Sequence, residues 1–95
     1  MNPDGYPTIS SLREEIEAVD ERLIAAIAER VALARSVGRA KVAAGQPVTD
    51  PAREAAVVTR ASVLARSAGL PEDEIRALYW KLLAISRKVQ LAELA

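Results

Sequence analysis

The sequence contains no cysteine and no histidine among its 95 residues. Without cysteine there is no disulfide framework and no thiolate nucleophile, and without histidine the commonest general base and metal ligand is missing. These two absences exclude histidine-based catalytic triads, typical zinc sites and cysteine nucleophiles. Phenylalanine is also absent, and the aromatic residues are limited to Tyr6, Tyr79 and Trp80.

The chain has no net charge and no long apolar run. Its thirteen basic residues balance thirteen acidic ones, which gives no electrostatic basis for binding nucleic acid or an anionic membrane. No stretch approaches the roughly 18 apolar residues of a membrane span. The first ten residues, MNPDGYPTIS, lack the basic and apolar regions of a signal peptide. The sequence therefore predicts a soluble, cytoplasmic protein with a flexible N-terminal tail over residues 1–9.

Alanine, leucine, valine, isoleucine, glutamate and arginine dominate the sequence, and no β-rich run appears. This composition predicts an all-α domain over residues 10–95. Helix 1 is predicted to begin at a capping box formed by Ser11 and Glu14. It should continue to about Ala44, because Gly45 provides the first convincing stop.

Two shorter helices are predicted after the first. Helix 2 should start with Asp50 as its N-cap and Pro51 as its first residue, and should end at Gly69. Helix 3 should follow the acidic segment LPEDE, because acidic side chains suit a helix N-terminus. Helix 3 carries apolar residues at heptad spacing, namely Ile75, Leu78, Leu82, Ile85 and Val89.

Helix 1 is too long for a single small protomer to cover. Its 33 or so residues would span roughly 50 Å, whereas a compact domain of this size is only about 32 Å across. Its apolar residues nevertheless form a continuous stripe at Leu12, Ile16, Val19, Leu23, Ala26, Leu33 and Val37. The stripe therefore predicts a two-fold homodimer of intertwined helices.

Position 30 of the same stripe is an arginine, and Lys41 lies three turns further along almost the same line. A buried cation needs an anion or a set of acceptors. Arg30 could also extend its charge to solvent or pair with a structural glutamate, and Lys41 could be a solvated residue near the helix end. Polar residues of the other two helices could line a cavity with these cations: Asp50, Arg53, Glu54, Ser86 and Gln90.

Arg13 lies about 100° around helix 1 from Arg30, so one straight helix cannot direct both side chains to one point. If Arg13 contributes to the same cavity, it comes most easily from the other protomer.

Five segments in order make the chain resemble the all-helical (AroQ-type) chorismate mutases from Leu12 to Gln90. They are LREEIEAVDERL and AERVALARSVGRAK in helix 1, PVTDPARE at the turn into helix 2, GLPEDEI into helix 3, and SRKVQ near its end. The resemblance implies a homodimer of three-helix protomers, in which each active site is completed by the other chain. It also implies an isomerase of phenylalanine and tyrosine biosynthesis that rearranges chorismate to prephenate without metal or cofactor.

Position by position, the resemblance implies a substrate-binding set of Arg13 (from the partner chain), Arg30, Lys41, Asp50, Arg53, Glu54, Ser86 and Gln90. The two carboxylates of chorismate would be held by Arg13 and Arg30, assisted by Ser86. The catalytic residues would be Lys41 and Gln90 at the ether oxygen, with Glu54 accepting a hydrogen bond from the C4 hydroxyl.

Two relatives of this family and one non-enzymatic function remain as alternatives. Isochorismate pyruvate lyases share the fold, but their loop after helix 1 usually departs from PVTDPARE. Aminodeoxychorismate mutases rearrange the 4-amino analogue, and acidic residues near C4 could receive an amine as well as a hydroxyl. The chain could also be a helical dimerisation module or a regulatory partner of another enzyme.

Overall fold

The computed structural model describes residues 5–93, which form three α-helices and no β-strand. Helix α1 spans Ile9–Ala43, α2 spans Pro51–Ser67 and α3 spans Glu72–Glu93. The predicted all-α fold with a long first helix is confirmed. None of these three helices is both long enough and apolar enough to cross a membrane.

The chain divides into two compact units, residues 1–30 and residues 31–95, and helix α1 runs from the first into the second. The first unit contains most of α1, and the second contains its C-terminal part together with α2 and α3. Residues 1–4 of the predicted flexible tail and residues 94–95 of the predicted domain lie outside the described residues.

Helix α1 begins at Ile9, inside the predicted tail, because Thr8 provides its cap. The Oγ1 of Thr8 accepts a hydrogen bond from the backbone N–H of Ser11 at 3.0 Å, and the Ser11 hydroxyl donates to the Thr8 carbonyl oxygen at 3.0 Å. The predicted capping box at Ser11 is therefore wrong by one turn. Serine and threonine are both favoured as N-cap residues, so the sequence preference alone does not decide between Thr8 and Ser11.

Helix α1 ends as the sequence predicts, at a glycine in the left-handed region. Gly45 has φ of 70°, which a residue with a side chain rarely adopts. Its backbone N–H donates to the Val42 carbonyl at 3.1 Å, and the N–H of Gln46 donates to the Lys41 carbonyl at 2.8 Å. These two bonds satisfy carbonyl groups that the end of the helix would otherwise leave without partners.

Helix α2 begins at the predicted cap. The Oδ1 of Asp50 accepts a hydrogen bond from the backbone N–H of Arg53 at 3.1 Å, and Pro51 is the first helical residue. The helix ends at Ser67, and Gly69 follows in the left-handed region with φ of 72°. Both ends of α2 are therefore confirmed to within two residues.

Helices α2 and α3 pack against each other through a small core. The buried apolar side chains are Val58, Ala61, Ala65 and Leu83. The buried residues of α3, Leu83 and Ser86, lie one position away from the predicted stripe, a rotation of about 100°. Leu78 and Ile85 of that stripe are 52% and 47% exposed in the single chain. The other members of the stripe, Ile75, Leu82 and Val89, are partly buried, so the predicted stripe overlaps one side of the buried face of α3.

A polar network joins α2 to α3 beside the turn between them. The buried hydroxyl of Ser62 donates to Glu72 at 2.9 Å and accepts from Arg76 at 2.7 Å. Arg66 donates to both carboxylate oxygens of Glu72, at 3.0 and 3.3 Å. Hydrogen bonds from Arg66 and then Ser62 lower the pKa of the Glu72 carboxyl. The ionised form of Glu72 therefore contributes to the stability of the folded chain.

This lowered pKa predicts an acid-dependent loss of stability. Because the carboxyl of Glu72 binds its proton less readily when folded, its contribution is complete above the ordinary carboxyl pKa and disappears as the pH falls through the lowered value. Glu72→Gln should therefore be less stable than the parent at about pH 7, and the difference should shrink towards about pH 3. Urea unfolding across this range measures the effect, with Glu74→Gln, an exposed acid of the same turn, as control. A constant difference between Glu72→Gln and the parent would contradict the assignment.

Candidate active site

Two of the predicted site residues, Arg13 and Arg30, lie in the unit formed by residues 1–30. Arg13 is exposed and Arg30 is partly buried. None of the described residues of this unit, 5–30, is fully buried in the single chain. Most of its large apolar side chains are 44% to 70% exposed, namely Tyr6, Ile9, Leu12, Ile16, Val19, Leu23 and Ile24, and Ile27 is partly buried.

The other six predicted residues belong to the unit formed by residues 31–95. Gln90 attaches α3 to the C-terminal part of α1, because its side-chain amide donates to the Ala34 carbonyl at 2.6 Å. A primary amide carries two N–H groups, so this contact orients Gln90 and leaves a second N–H for a ligand.

Gly38 makes the contact between Gln90 and α1 possible. It is the buried residue of α1, and a Cβ built on it would lie 3.3 Å from Cγ of Gln90. A glycine costs a helix interior roughly 1 kcal/mol relative to alanine. Here the missing side chain leaves room for Gln90 against the helix backbone.

Lys41 lies on α1 one turn beyond Gly38, on the same side of the helix. It is partly buried, and its ammonium donates to the backbone carbonyl of Val48 at 3.3 Å. Val48 belongs to the loop between α1 and α2. This hydrogen bond fixes the loop to the end of α1, and an ammonium group has two further N–H donors for a ligand.

Asp50 and Arg53 lie at the start of α2. The carboxylate of Asp50 is used as the helix cap, and Arg53 contributes its backbone N–H to that cap. Both side chains are exposed. Their predicted contact with a substrate stays a prediction.

Glu54 of α2 is held by an arginine of α3. Arg87 donates from Nη2 to Oε1 of Glu54 at 2.8 Å and from Nε to Oε2 at 3.2 Å. The Glu54 side chain is only 19% exposed. Hydrogen bonding to Glu54 raises the pKa of the Arg87 guanidinium above its ordinary value, so the arginine stays charged. Ser86, which precedes Arg87 in the sequence, is buried and only 5% exposed.

Arg87 and Gly38 are the residues that the sequence interpretation did not assign to the site. Arg87 is one of many arginines in the sequence, and a glycine inside a predicted helix is in general only destabilising. A signal was present for Arg87, because a carboxylate at Glu54 that faces other helices needs a cation. The sequence alone did not show which of the many arginines would supply it.

A cavity of about 180 Å³ opens between the C-terminal part of α1 and the end of α3. Its walls are formed by Arg35, Gly38, Arg39, Val42, Gln90 and Glu93. Arg39 and Arg35 both face Glu93, at 3.2 and 3.6 Å. Of the predicted site residues in this unit, Gln90 alone borders the cavity. Lys41 and Ser86 are not among the residues that form the cavity walls.

The arrangement in this unit suits binding and orientation of a polar ligand. It offers N–H donors on Gln90 and Lys41 that are already positioned by backbone carbonyls, and a carboxylate on Glu54 whose charge is matched by Arg87. These groups offer hydrogen bonding and electrostatic stabilisation to such a ligand.

Comparison with known proteins identifies the family. The sequence profile of the chorismate mutase type II family matches residues 12–91. The chain belongs to this family. The match covers the segments on which the resemblance was recognised, and it includes all eight predicted site residues.

Relatives support this assignment. The chain is 36% identical over 92 residues to a bifunctional chorismate mutase/prephenate dehydratase of Enterobacter agglomerans, which covers 97% of the chain and 23% of the relative. It is 31% identical over 65 residues to the chorismate mutase of Methanocaldococcus jannaschii, covering 68% of the chain and 66% of that protein. An intracellular chorismate mutase of Mycolicibacterium smegmatis is 37% identical over 57 residues, covering 60% of the chain and 55% of the relative. The chain thus spans about a quarter of the bifunctional relative's length.

Proposed function

We propose that this chain converts chorismate to prephenate by an intramolecular [3,3] rearrangement, a step towards phenylalanine and tyrosine. The observation that carries the proposal is the family match over residues 12–91. Relatives of different length are named chorismate mutases, alone or joined to prephenate dehydratase. The predicted cytoplasmic location stays a prediction.

The reaction requires a binding site that holds the substrate in its reactive shape. The enolpyruvyl arm must lie over the ring, which is a task of proximity and orientation. We assign the two substrate carboxylates to Arg30 and to Arg13 of the partner subunit, because a guanidinium binds a carboxylate through two parallel hydrogen bonds. Ser86 would assist at one of these carboxylates.

Negative charge develops on the ether oxygen as the C–O bond breaks. Donors fixed in place before the reaction stabilise this charge more in the transition state than in the ground state. Lys41 and Gln90 fit this role, since each is anchored by a hydrogen bond to a backbone carbonyl and retains further N–H groups.

The polar end of the substrate is assigned to the start of α2. Glu54 would accept a hydrogen bond from the C4 hydroxyl, together with backbone groups near Asp50. The cation that matches the charge of Glu54 is Arg87. Arg53, which belongs to the predicted substrate-binding set, is exposed.

One set of assays separates this function from its alternatives. The purified chain is incubated with chorismate, with 4-amino-4-deoxychorismate and with isochorismate, and the products are identified by chromatography. The proposal expects prephenate from chorismate at the highest kcat/KM. Release of pyruvate from isochorismate would indicate a lyase. A preference for the amino analogue would indicate an aminodeoxychorismate mutase. Inactivity on all three compounds would indicate a dimerisation or regulatory module.

We also propose that the active protein is a homodimer in which Arg13 acts in the partner's site. The support is the unit formed by residues 1–30, which is mainly one helix whose apolar side chains are largely exposed. Ile16 and Leu23 of the predicted stripe are 59% and 53% exposed in the single chain. Isolated helices are marginally stable in water, so such a helix needs a second surface to cover its apolar side.

Sedimentation equilibrium should therefore show a dimer at micromolar concentration. Leu23→Glu places a charge in the apolar stripe and should shift the protein towards monomers with loss of helix content, whereas Arg22→Glu, at a neighbouring exposed position, should not. A parent protein that is a well-folded monomer would contradict the proposal.

Mixed dimers test whether Arg13 is shared. Arg13→Ala and Lys41→Ala protomers should each be inactive alone, and mixing them should restore activity, because a mixed dimer has one site with neither lesion. At random exchange about half of the dimers are mixed, so roughly a quarter of the parent activity should return. Confirmed mixed dimers without recovered activity would place Arg13 in its own chain's site.

A further inference from the structure

Arg87 places a positive charge next to Glu54, the residue that is assigned to bind the C4 substituent of the substrate. Both oxygens of the Glu54 carboxylate accept a hydrogen bond from the same guanidinium, at 2.8 and 3.2 Å. The pair therefore carries no net charge. The side chain of Arg87 is 37% exposed, so solvent does not surround the guanidinium completely.

The hydrogen bonds to Arg87 leave Glu54 able to accept more. An ionised carboxylate has about four acceptor positions, and Arg87 occupies two of them. A neutral hydroxyl needs only one free acceptor position, and the net charge of the pair matters little to it. An ammonium group needs a net negative environment, and here it would meet the guanidinium that is bound to the same two carboxylate oxygens, so that like charges repel.

We propose that Arg87 is a specificity-determining residue, which orients Glu54 and makes this site select a C4 hydroxyl over a C4 ammonium. The inference rests on the proposed function, because it assigns Glu54 to the C4 substituent. Arg87 acts through Glu54 and is a positioning residue. It favours chorismate over the 4-amino analogue, whose amine is protonated at neutral pH.

The test compares kcat/KM for chorismate and for 4-amino-4-deoxychorismate in the parent and in Arg87 variants. Arg87→Met removes the charge and keeps an unbranched side chain, while Arg87→Gln removes the charge and keeps a hydrogen-bond donor. Both should lower the preference for chorismate by about tenfold or more, mainly because the amino analogue improves. Arg87→Lys retains the charge and should retain most of the preference.

A second pair of the same kind provides the matched control. Arg66 also donates two hydrogen bonds to one glutamate, Glu72, between the same two helices. Arg66→Met should leave the ratio of the two kcat/KM values within about twofold of the parent's. This control separates loss of an ion pair in general from loss of the pair at the site.

The outcomes distinguish the inference from the proposed function. If Arg87→Met and Arg87→Gln change both kcat/KM values by the same factor, Arg87 only supports the structure and the inference is overturned. A parent that prefers the amino analogue overturns it as well. A parent that rearranges neither compound overturns the proposed function, and the inference falls with it.

Discussion

Arg30→Ala is expected to lower kcat/KM for chorismate by a factor of about 10² to 10⁴, which corresponds to about 3–5 kcal/mol of transition-state stabilisation. The reason is that the assigned clamp for one substrate carboxylate is removed, so the enolpyruvyl arm is no longer held over the ring. Arg30 is partly buried and not a core residue. The melting temperature should therefore change by only a few degrees.

Steady-state kinetics and thermal unfolding monitored by circular dichroism measure the two effects together. Arg22→Ala is the matched control, since it removes an exposed arginine from the same helix and should leave kcat/KM near the parent's value. If Arg30→Ala unfolds while its remaining folded fraction is fully active, Arg30 has a structural role and the assignment is wrong.

Gln90→Glu should make the activity depend on pH. The amide of Gln90 donates a hydrogen bond at any pH, whereas a carboxyl group of similar shape donates only when it is protonated. At about pH 7.5 the variant should lose roughly 10²-fold in kcat/KM and should regain much of it towards about pH 5. The nearby Ala34 carbonyl oxygen, 2.6 Å from Nε2 of Gln90, favours the protonated acid.

The pH profile of kcat/KM measures this effect, and Gln46→Glu supplies the control. Gln46 is the other glutamine of the chain and is exposed, so its replacement should leave the profile of the parent unchanged. A Gln90→Glu variant whose kcat/KM varies with pH no more than the parent's would mean that Gln90 does not donate to the developing charge. Lys41 would then stabilise the ether oxygen alone.

The sequence predicted most of the backbone structure because its signals are local. Asp50 followed by Pro51 marks the start of α2, and Gly45 marks the end of α1, since each acts on groups within a few residues. The start of α1 was misplaced because Thr8 and Ser11 are both hydroxyl residues suited to an N-cap. With Thr8 as the cap, α1 is one turn longer at its start than it would be with Ser11 as the cap.

The site was harder to predict where it depends on contacts between helices. Glu54 and Gln90 were recognised through the resemblance, but the partner of Glu54, Arg87, is 33 residues away in the sequence. Nothing local distinguishes Arg87 from the exposed arginines. The role of Gly38 likewise becomes apparent only when Gln90 is seen to pack against it.

The buried face of α3 shows the same limit. The heptad spacing of Leu78 and Ile85 identifies a real apolar face, yet Leu83 and Ser86 are the residues that are buried in the single chain. Apolar spacing locates the buried side of a helix approximately, and the residues that are fully buried depend on how α2 packs against α3.

The most direct measurement is a ¹H NMR time course of chorismate incubated with the purified chain. We predict that chorismate resonances are replaced by those of prephenate in equal amount, with no pyruvate, at a rate proportional to protein concentration. The rate should fall to the uncatalysed level when Arg30 and Lys41 are both replaced by alanine. Chorismate that disappears no faster with the parent chain than with this double variant would contradict the proposed function.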